Sequence, residues 1–154
     1  MKNQASKELT ITRTFNTPRE LVWKAWIDGK HIAQWWGPTG FTVPLCEWDA
    51  QVGGKILIHM KAPDGTIYPG DGEFNEIIDL EKLVITSAAL DKNGERLFEV
   101  LNTITFIDEG KKTKLILNFI FSKVTPEGAP YIGGAENGWN LSLDKLSNYL
   151  DNEK

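Results

Sequence analysis

The chain has 154 residues, of which 41% are hydrophobic and 25% charged, and its formal net charge is −4 at pH 7. This length suits one domain that buries roughly 70% of its unfolded surface, and the composition is that of a globular protein. The sequence holds no cluster of Lys and Arg, which argues against nucleic acid as a partner because phosphate binding needs such clusters. We expect a single domain over residues 8–151, with polar tails at 1–7 and 152–154.

The sequence also bears on the cellular compartment. Its first ten residues, MKNQASKELT, lack the apolar segment of a signal peptide, and no apolar stretch approaches the ~20 residues that span a bilayer. The single cysteine, Cys46, cannot form an internal disulfide, which fits a reducing compartment. These features predict a cytoplasmic protein without a membrane span, and they leave its oligomeric state open.

The first part of the chain predicts one strand followed by two helices. The segment ELTITRTFN alternates apolar and polar residues with period two, as a half-buried strand does. A capping box from Thr17 to Glu20, with Pro18 at the first helical position, predicts a helix that ends at Asp28-Gly29. The segment KHIAQWW predicts a second, shorter helix that stops at Gly37-Pro38.

The middle of the chain predicts six further strands in an antiparallel meander. Alternating segments are separated by Asp-Gly, Asn-Gly and Glu-Gly turns, the first two of which are strong hairpin signals. Pro44 interrupts the first of these strands and places it at an edge or a bulge, because proline cannot donate to a sheet ladder.

The end of the chain predicts one long amphipathic helix of about fifteen residues, or roughly 22 Å. Its apolar stripe consists of Trp139, Leu143, Leu146 and Leu150. A seven-stranded antiparallel sheet must bury one face, and this helix is the long element available to cover it. We therefore predict an α+β fold in which a curved sheet wraps around the C-terminal helix, with two short helices between the first two strands. A gap between sheet and helix would suit a small apolar ligand.

Several motifs together resemble the START-like, helix-grip superfamily. They are FNTPRELVWKAWID, HIAQWWGPTGFT, WDAQVGGKILIHMKAPDG, GDGEFNEI and GWNLSLDKLSNYL, and the likeness extends from about Leu9 to Leu150. Within the superfamily the chain is similar to the bacterial single-domain homologues of the activator of the heat-shock-protein-90 ATPase. The resemblance implies a seven-stranded sheet that grips a C-terminal helix around a hydrophobic cavity. Relatives bind lipids, polyketides or plant hormones, and some are cyclases or hydrolases.

The favoured function is therefore the binding of a hydrophobic or aromatic small molecule between sheet and helix. One alternative is an interaction with a chaperone ATPase, which rests on the family name. A second alternative is an enzyme that acts inside the cavity, such as a cyclase or hydrolase. This alternative needs a polar pocket group with a perturbed pKa.

Strand parity nominates residues for the cavity. Arg13 and Glu76 share faces with apolar neighbours, so we expect both inside, as a direct pair or as polar anchors for a ligand; a strand twist that brings Arg13 to the rim is the alternative. Of Trp35 and Trp36, one ring is expected in the core and the other at the cavity mouth, unless both plug the end of the sheet. The full predicted set is Arg13, Phe15, Trp35, Trp36, Ile56, Ile58, Met60, Phe74, Glu76, Leu117, Phe119, Trp139 and Leu143.

The sequence predicts no catalytic residue, metal site or cofactor. His31, His59 and Cys46 are too few and too scattered for metal-ligand spacing. Cys46 has no histidine or basic neighbour in sequence to activate its thiol, and no nucleophile elbow or phosphate-binding glycine loop is present.

Overall fold

The structure, a computed structural model, describes residues 7–153. The predicted tails therefore lie outside the described residues at positions 1–6 and 154. The elements are β1 (Lys7–Phe15), α1 (Arg19–Ile27), α2 (Gly29–Trp35), β2 (Thr42–Trp48), β3 (Lys55–Lys61), β4 (Ile67–Ile78), β5 (Lys82–Leu90), β6 (Arg96–Glu109), β7 (Lys112–Ser122), α3 (Ala129–Ile132) and α4 (Ala135–Glu153).

The strands form one seven-stranded sheet in the order β1-β7-β6-β5-β4-β3-β2, and every neighbouring pair is antiparallel. Successive strands from β2 to β7 lie side by side, and β1 joins the sheet beside β7. Pro44 lies in the edge strand β2, where the pairing register shifts between Thr42 and Leu45. The α+β class, the curved antiparallel sheet and the long C-terminal helix are thus confirmed.

One face of this sheet is buried against the helices. In β7 the burial alternates strictly, and the buried set is Thr113, Leu115, Leu117, Phe119 and Phe121. From α4, the stripe residues Leu143, Leu146 and Leu150 are buried in the same core. Each of the leucine and phenylalanine side chains contributes about 1.5–3 kcal/mol when fully buried, so their burial stabilises the packing of α4 on the sheet. None of the helices within residues 7–153 has the length and apolar character needed to cross a membrane.

The start of α1 differs from the predicted capping box. The N-cap residue is Pro18, whose side chain has no group that could accept a hydrogen bond. Thr17 is buried instead, and its carbonyl oxygen accepts a hydrogen bond of 2.7 Å from Thr113 Oγ1 on β7. Thr17 therefore anchors the start of α1 to the sheet through its backbone, one residue before the N-cap. Asp28 ends α1 and caps α2, where its side chain accepts from the backbone N–H of Lys30 at 2.9 Å.

Candidate functional site

A pocket of about 670 Å³ lies between the buried face of the sheet and the N-terminal half of α4. Strands β3 to β7 supply its long wall, and α4 contributes Ala135, Gly138, Trp139 and Ser142. The side chains of Ile67 and Tyr131 line the pocket and are also exposed, so the pocket opens to solvent beside them. The volume lies within the range of small-molecule sites.

Tryptophan side chains form the inner end of the pocket. The ring of Trp139 is stacked at 5.0 Å from Phe119 and at 6.1 Å from Trp26, and its edge meets Trp36 at 5.1 Å. Trp36 in turn contacts Trp48 at 5.3 Å. Such mutually packed rings present a large apolar surface that loses little conformational entropy when a ligand binds.

The adjacent residues Trp35 and Trp36 have separate roles. Trp35 is the last residue of α2 and is fully buried, and its Nε1–H donates to the carbonyl oxygen of Ala25 at 3.0 Å. Trp36 is the C-cap of α2 and has an extended backbone (φ −65°, ψ 141°), which turns its side chain toward the pocket. The chain leaves the helix between the two residues, and this exit lets one ring fill the core while the other lines the pocket.

A buried polar pair interrupts the apolar wall. Asn102 on β6 is only 8% exposed and lines the pocket together with Ser87 on β5. The amide nitrogen of Asn102 donates to the carbonyl oxygen of Ile85 at 2.9 Å and to Ser87 Oγ at 3.0 Å, with a longer contact of 3.3 Å to the carbonyl oxygen of Val100. The pocket thus has a fixed polar group within an otherwise apolar wall.

Charged side chains stand at the open end of the pocket. Asp71, Asp91, Glu127 and Lys92 line it, and they leave a net negative charge. Beside them Arg96 lies 3.6 Å from Asp71 and 2.8 Å from Glu99. The hydrogen bond from Arg96 holds the pKa of Glu99 below its usual range, so Glu99 is ionised at neutral pH.

Lys145 of α4 fixes the segment that closes one side of the pocket. Its Nζ donates to the carbonyl oxygens of Trp36, Pro38 and Phe41 at 3.4, 3.5 and 3.1 Å. Burial lowers the pKa of Lys145. Because Trp36 and Pro38 line the pocket, this contact couples the position of α4 to the shape of the wall.

Residues 7–153 contain no group of three or more His, Cys, Asp or Glu side chains placed to hold a metal ion. Burial raises the pKa of the Cys46 thiol, which keeps it protonated at neutral pH and makes it a poor nucleophile. His31 is engaged through Nδ1 with the hydroxyl of Tyr149.

The model of one protein family, described as activator of Hsp90 ATPase homolog 1-like protein, matches residues 16–151. The chain belongs to this family. Among curated proteins, none matches the chain in sequence.

Solved structures of bacterial proteins share the fold of this family member. The AHSA1 protein of Silicibacter pomeroyi is 25% identical, with a TM-score of 0.82, and the match covers 96% of this chain and 100% of that one. A protein from Arthrobacter aurescens is 21% identical (TM-score 0.81; 98% and 93% covered), and one from Staphylococcus epidermidis is 22% identical (TM-score 0.79; 100% and 96% covered).

In this family member the predicted cavity residues fall into three groups. The pocket wall contains Trp36, Ile56, Ile58, Met60, Phe119 and Trp139. The solid core contains Phe15, Trp35, Phe74, Leu117 and Leu143. Arg13 and Glu76 lie in neither set and have partners of their own.

Arg13 and Glu76 do not form the expected interior pair, because each has a different partner. Arg13 is 25% exposed and pairs through its guanidinium with Asp144 on α4 at 2.8 Å. Glu76 is 48% exposed and lies 3.6 Å from Lys82. A bulge in β4 between Phe74 and Glu76 shifts the alternation by one residue, so the parity that buries Phe74 does not extend to Glu76.

Sequence reasoning did not nominate Trp26, Trp48, Ser87, Asn102 or Gly138, all of which line the pocket of this family member. Asn102 carried a usable signal. It shares strand parity with Val100, Ile104 and Phe106, so it is a polar residue in an apolar row, like Arg13. The other residues gave no such signal, because their place in the wall depends on how helices and sheet meet.

Proposed function

We propose that this chain binds a small apolar or aromatic molecule in the pocket between the sheet and α4. The observation that supports the proposal best is the pocket itself, about 670 Å³ in volume, with an inner end formed by Trp26, Trp36, Trp48 and Trp139. A cavity of this size lowers the stability of the fold, because side chains that filled it would gain packing contacts. Ligand binding gives a reason for its persistence.

Apolar side chains at the opening support the same function. Ile67, Tyr68 and Tyr131 line the pocket although their exposed fractions are 41%, 37% and 50%. Apolar groups clustered at a concave opening commonly mark a binding site. An entering ligand would cover them and gain apolar contact before it reaches the tryptophans.

The experiment is a binding titration with the uncharged fluorescent apolar probe Nile red on the wild type and two variants. Gly138→Leu places a side chain in the pocket from α4, where a Cβ would meet only Pro38 Cγ, at 3.9 Å. Asn148→Leu adds the same side chain to an exposed position of the same helix and serves as the matched control. We expect probe affinity to fall about tenfold or more in Gly138→Leu and to stay unchanged in Asn148→Leu. Absence of probe binding to the wild type, or equal binding to all three proteins, would refute the proposal.

The family description supports a second candidate, an interaction with a chaperone ATPase of the Hsp90 type. The test is the ATPase rate of the Hsp90 of the same organism with and without this protein. Stimulation that saturates at micromolar concentration would support the interaction, and an unchanged rate would dismiss it.

A further inference from the structure

We infer that the ligand is a flat aromatic molecule that donates an N–H or O–H hydrogen bond to Oδ1 of Asn102 and carries no negative charge. This inference rests on the proposed function and names the chemistry that the same pocket selects. It starts from the orientation of one buried amide.

The surroundings of Asn102 determine which way its amide faces. Two of the three atoms near its nitrogen are the backbone carbonyl oxygens of Ile85 and Val100, which can only accept hydrogen bonds. A flipped amide would set Oδ1 against those oxygens and lose both contacts. The NH₂ group must therefore face the sheet backbone, and Oδ1 must face away from these two carbonyl oxygens.

Oδ1 is left as a free acceptor on the pocket. None of the hydrogen bonds of Asn102 within residues 7–153 uses this oxygen. The fully enclosed side-chain atoms without a hydrogen-bond partner in the same residues are Arg19 Nε, Trp26 Nε1 and Asp71 Oδ1. Asn102 Oδ1 is not among them, so this oxygen keeps access to the pocket that its side chain lines. An acceptor in an apolar wall gains most from a ligand that brings a donor, because leaving it unpaired in a dry pocket is costly.

The rest of the wall specifies the body and the charge of the ligand. The aromatic side chains of Trp36, Phe119 and Trp139 line the pocket, and aromatic side chains pair favourably with a further aromatic ring in edge-on or offset contact. A carboxylate would meet the Oδ1 acceptor inside and a small excess of acidic groups at the opening, where Asp91 and Glu127 outnumber Lys92 while Arg96 offsets Asp71. Uncharged and cationic donors avoid both conflicts.

Three naphthalenes of similar size test this inference by isothermal titration calorimetry. 2-Naphthol donates a hydrogen bond, 2-methoxynaphthalene only accepts one, and 2-naphthoate is an anion. We expect 2-naphthol to bind about 2- to 10-fold more tightly than 2-methoxynaphthalene, the fold-change of one net hydrogen bond, although the ether is the more apolar molecule. We expect 2-naphthoate to bind most weakly.

Two variants locate the effect. Asn102→Leu removes the acceptor and should abolish the preference for 2-naphthol. Thr103→Val changes the next residue of β6, whose side chain points to the opposite face of the sheet. This control variant should keep the preference for 2-naphthol. Should Asn102→Leu fail to fold, the order of the three ligands on the wild type still decides.

Equal or tighter binding of 2-methoxynaphthalene to the wild type would overturn the inference while leaving the proposed function intact, as would tightest binding of 2-naphthoate. Failure of all three ligands to bind would overturn the proposed function as well.

Discussion

Gly138 gives a prediction in which stability rises while ligand binding does not improve. The residue lies in the first turns of α4, where its N–H donates to the carbonyl oxygen of Gly134 at 2.9 Å. Glycine in a helix costs about 0.5–1 kcal/mol relative to alanine. A Cβ added there would have Pro38 Cγ as its nearest neighbour outside the helix backbone, at 3.9 Å, which is an ordinary van der Waals contact. Gly138→Ala should therefore raise the free energy of unfolding by about 0.5–1 kcal/mol.

For a chain of 154 residues this gain corresponds to a rise in Tm of about 1.5–3 °C. The assay is urea unfolding followed by far-UV circular dichroism, in which the midpoint should rise at an unchanged m-value. The added methyl group also enters the pocket, so 2-naphthol should bind no more tightly to Gly138→Ala than to the wild type.

Gly128→Ala is the control with the opposite sign. Gly128 has helical dihedral angles (φ −85°, ψ −21°) that alanine adopts freely, but a Cβ there would lie 2.1 Å from the carbonyl oxygen of Leu97. We expect this overlap to lower the free energy of unfolding by about 2 kcal/mol or more. If Gly138→Ala lowered the free energy of unfolding by a similar amount, the space beside Gly138 could not accommodate a methyl group. That result would refute the reasoning.

Three further predictions concern the framework around the pocket. Trp35→Phe removes the hydrogen bond to the Ala25 carbonyl oxygen and leaves a smaller ring in the core, so thermal or urea unfolding should show a loss of about 1–3 kcal/mol. Burial raises the pKa of Cys46 above that of a cysteine in the unfolded chain. The contribution of Cys46 to the free energy of unfolding is therefore complete below the unfolded pKa of about 8.5, and it is lost as the pH rises through the folded pKa. Folded protein should accordingly react with a thiol reagent more slowly than urea-unfolded protein at pH 7.5, and equal rates would contradict the cause given. Arg13→Met breaks the ion pair with the largely exposed Asp144 and should lower the free energy of unfolding by less than about 1 kcal/mol. This difference from the wild type should shrink in about 1 M NaCl, which screens exposed charges. A difference of the same size in salt would show that lost packing, and not lost charge, is the cause.

The sequence predicted the elements of this fold well, because burial of one face imposes a period on each element. The alternation of β7 and the stripe of α4 are both consequences of a single covered face. The hairpin turns and the position of Pro44 followed from local backbone chemistry, which needs no knowledge of distant residues.

The site was predicted less completely because its boundary is a tertiary property. Leu117 and Phe119 share one face of β7, yet the pocket reaches only Phe119, since other side chains fill the space above Leu117. Glu76 was misplaced by the bulge after Phe74, which a strict period of two does not register. Asn102 was overlooked although its apolar neighbours marked it as a polar residue in a buried row.

The most direct test of ligand binding in this pocket is a crystal structure of the protein with 2-naphthol bound at saturation. We predict density for the ring beside Phe119 and Trp139, with the hydroxyl within hydrogen-bonding distance of Asn102 Oδ1. Density for the ligand only on the outer surface, or an empty pocket at saturating ligand, would contradict the account.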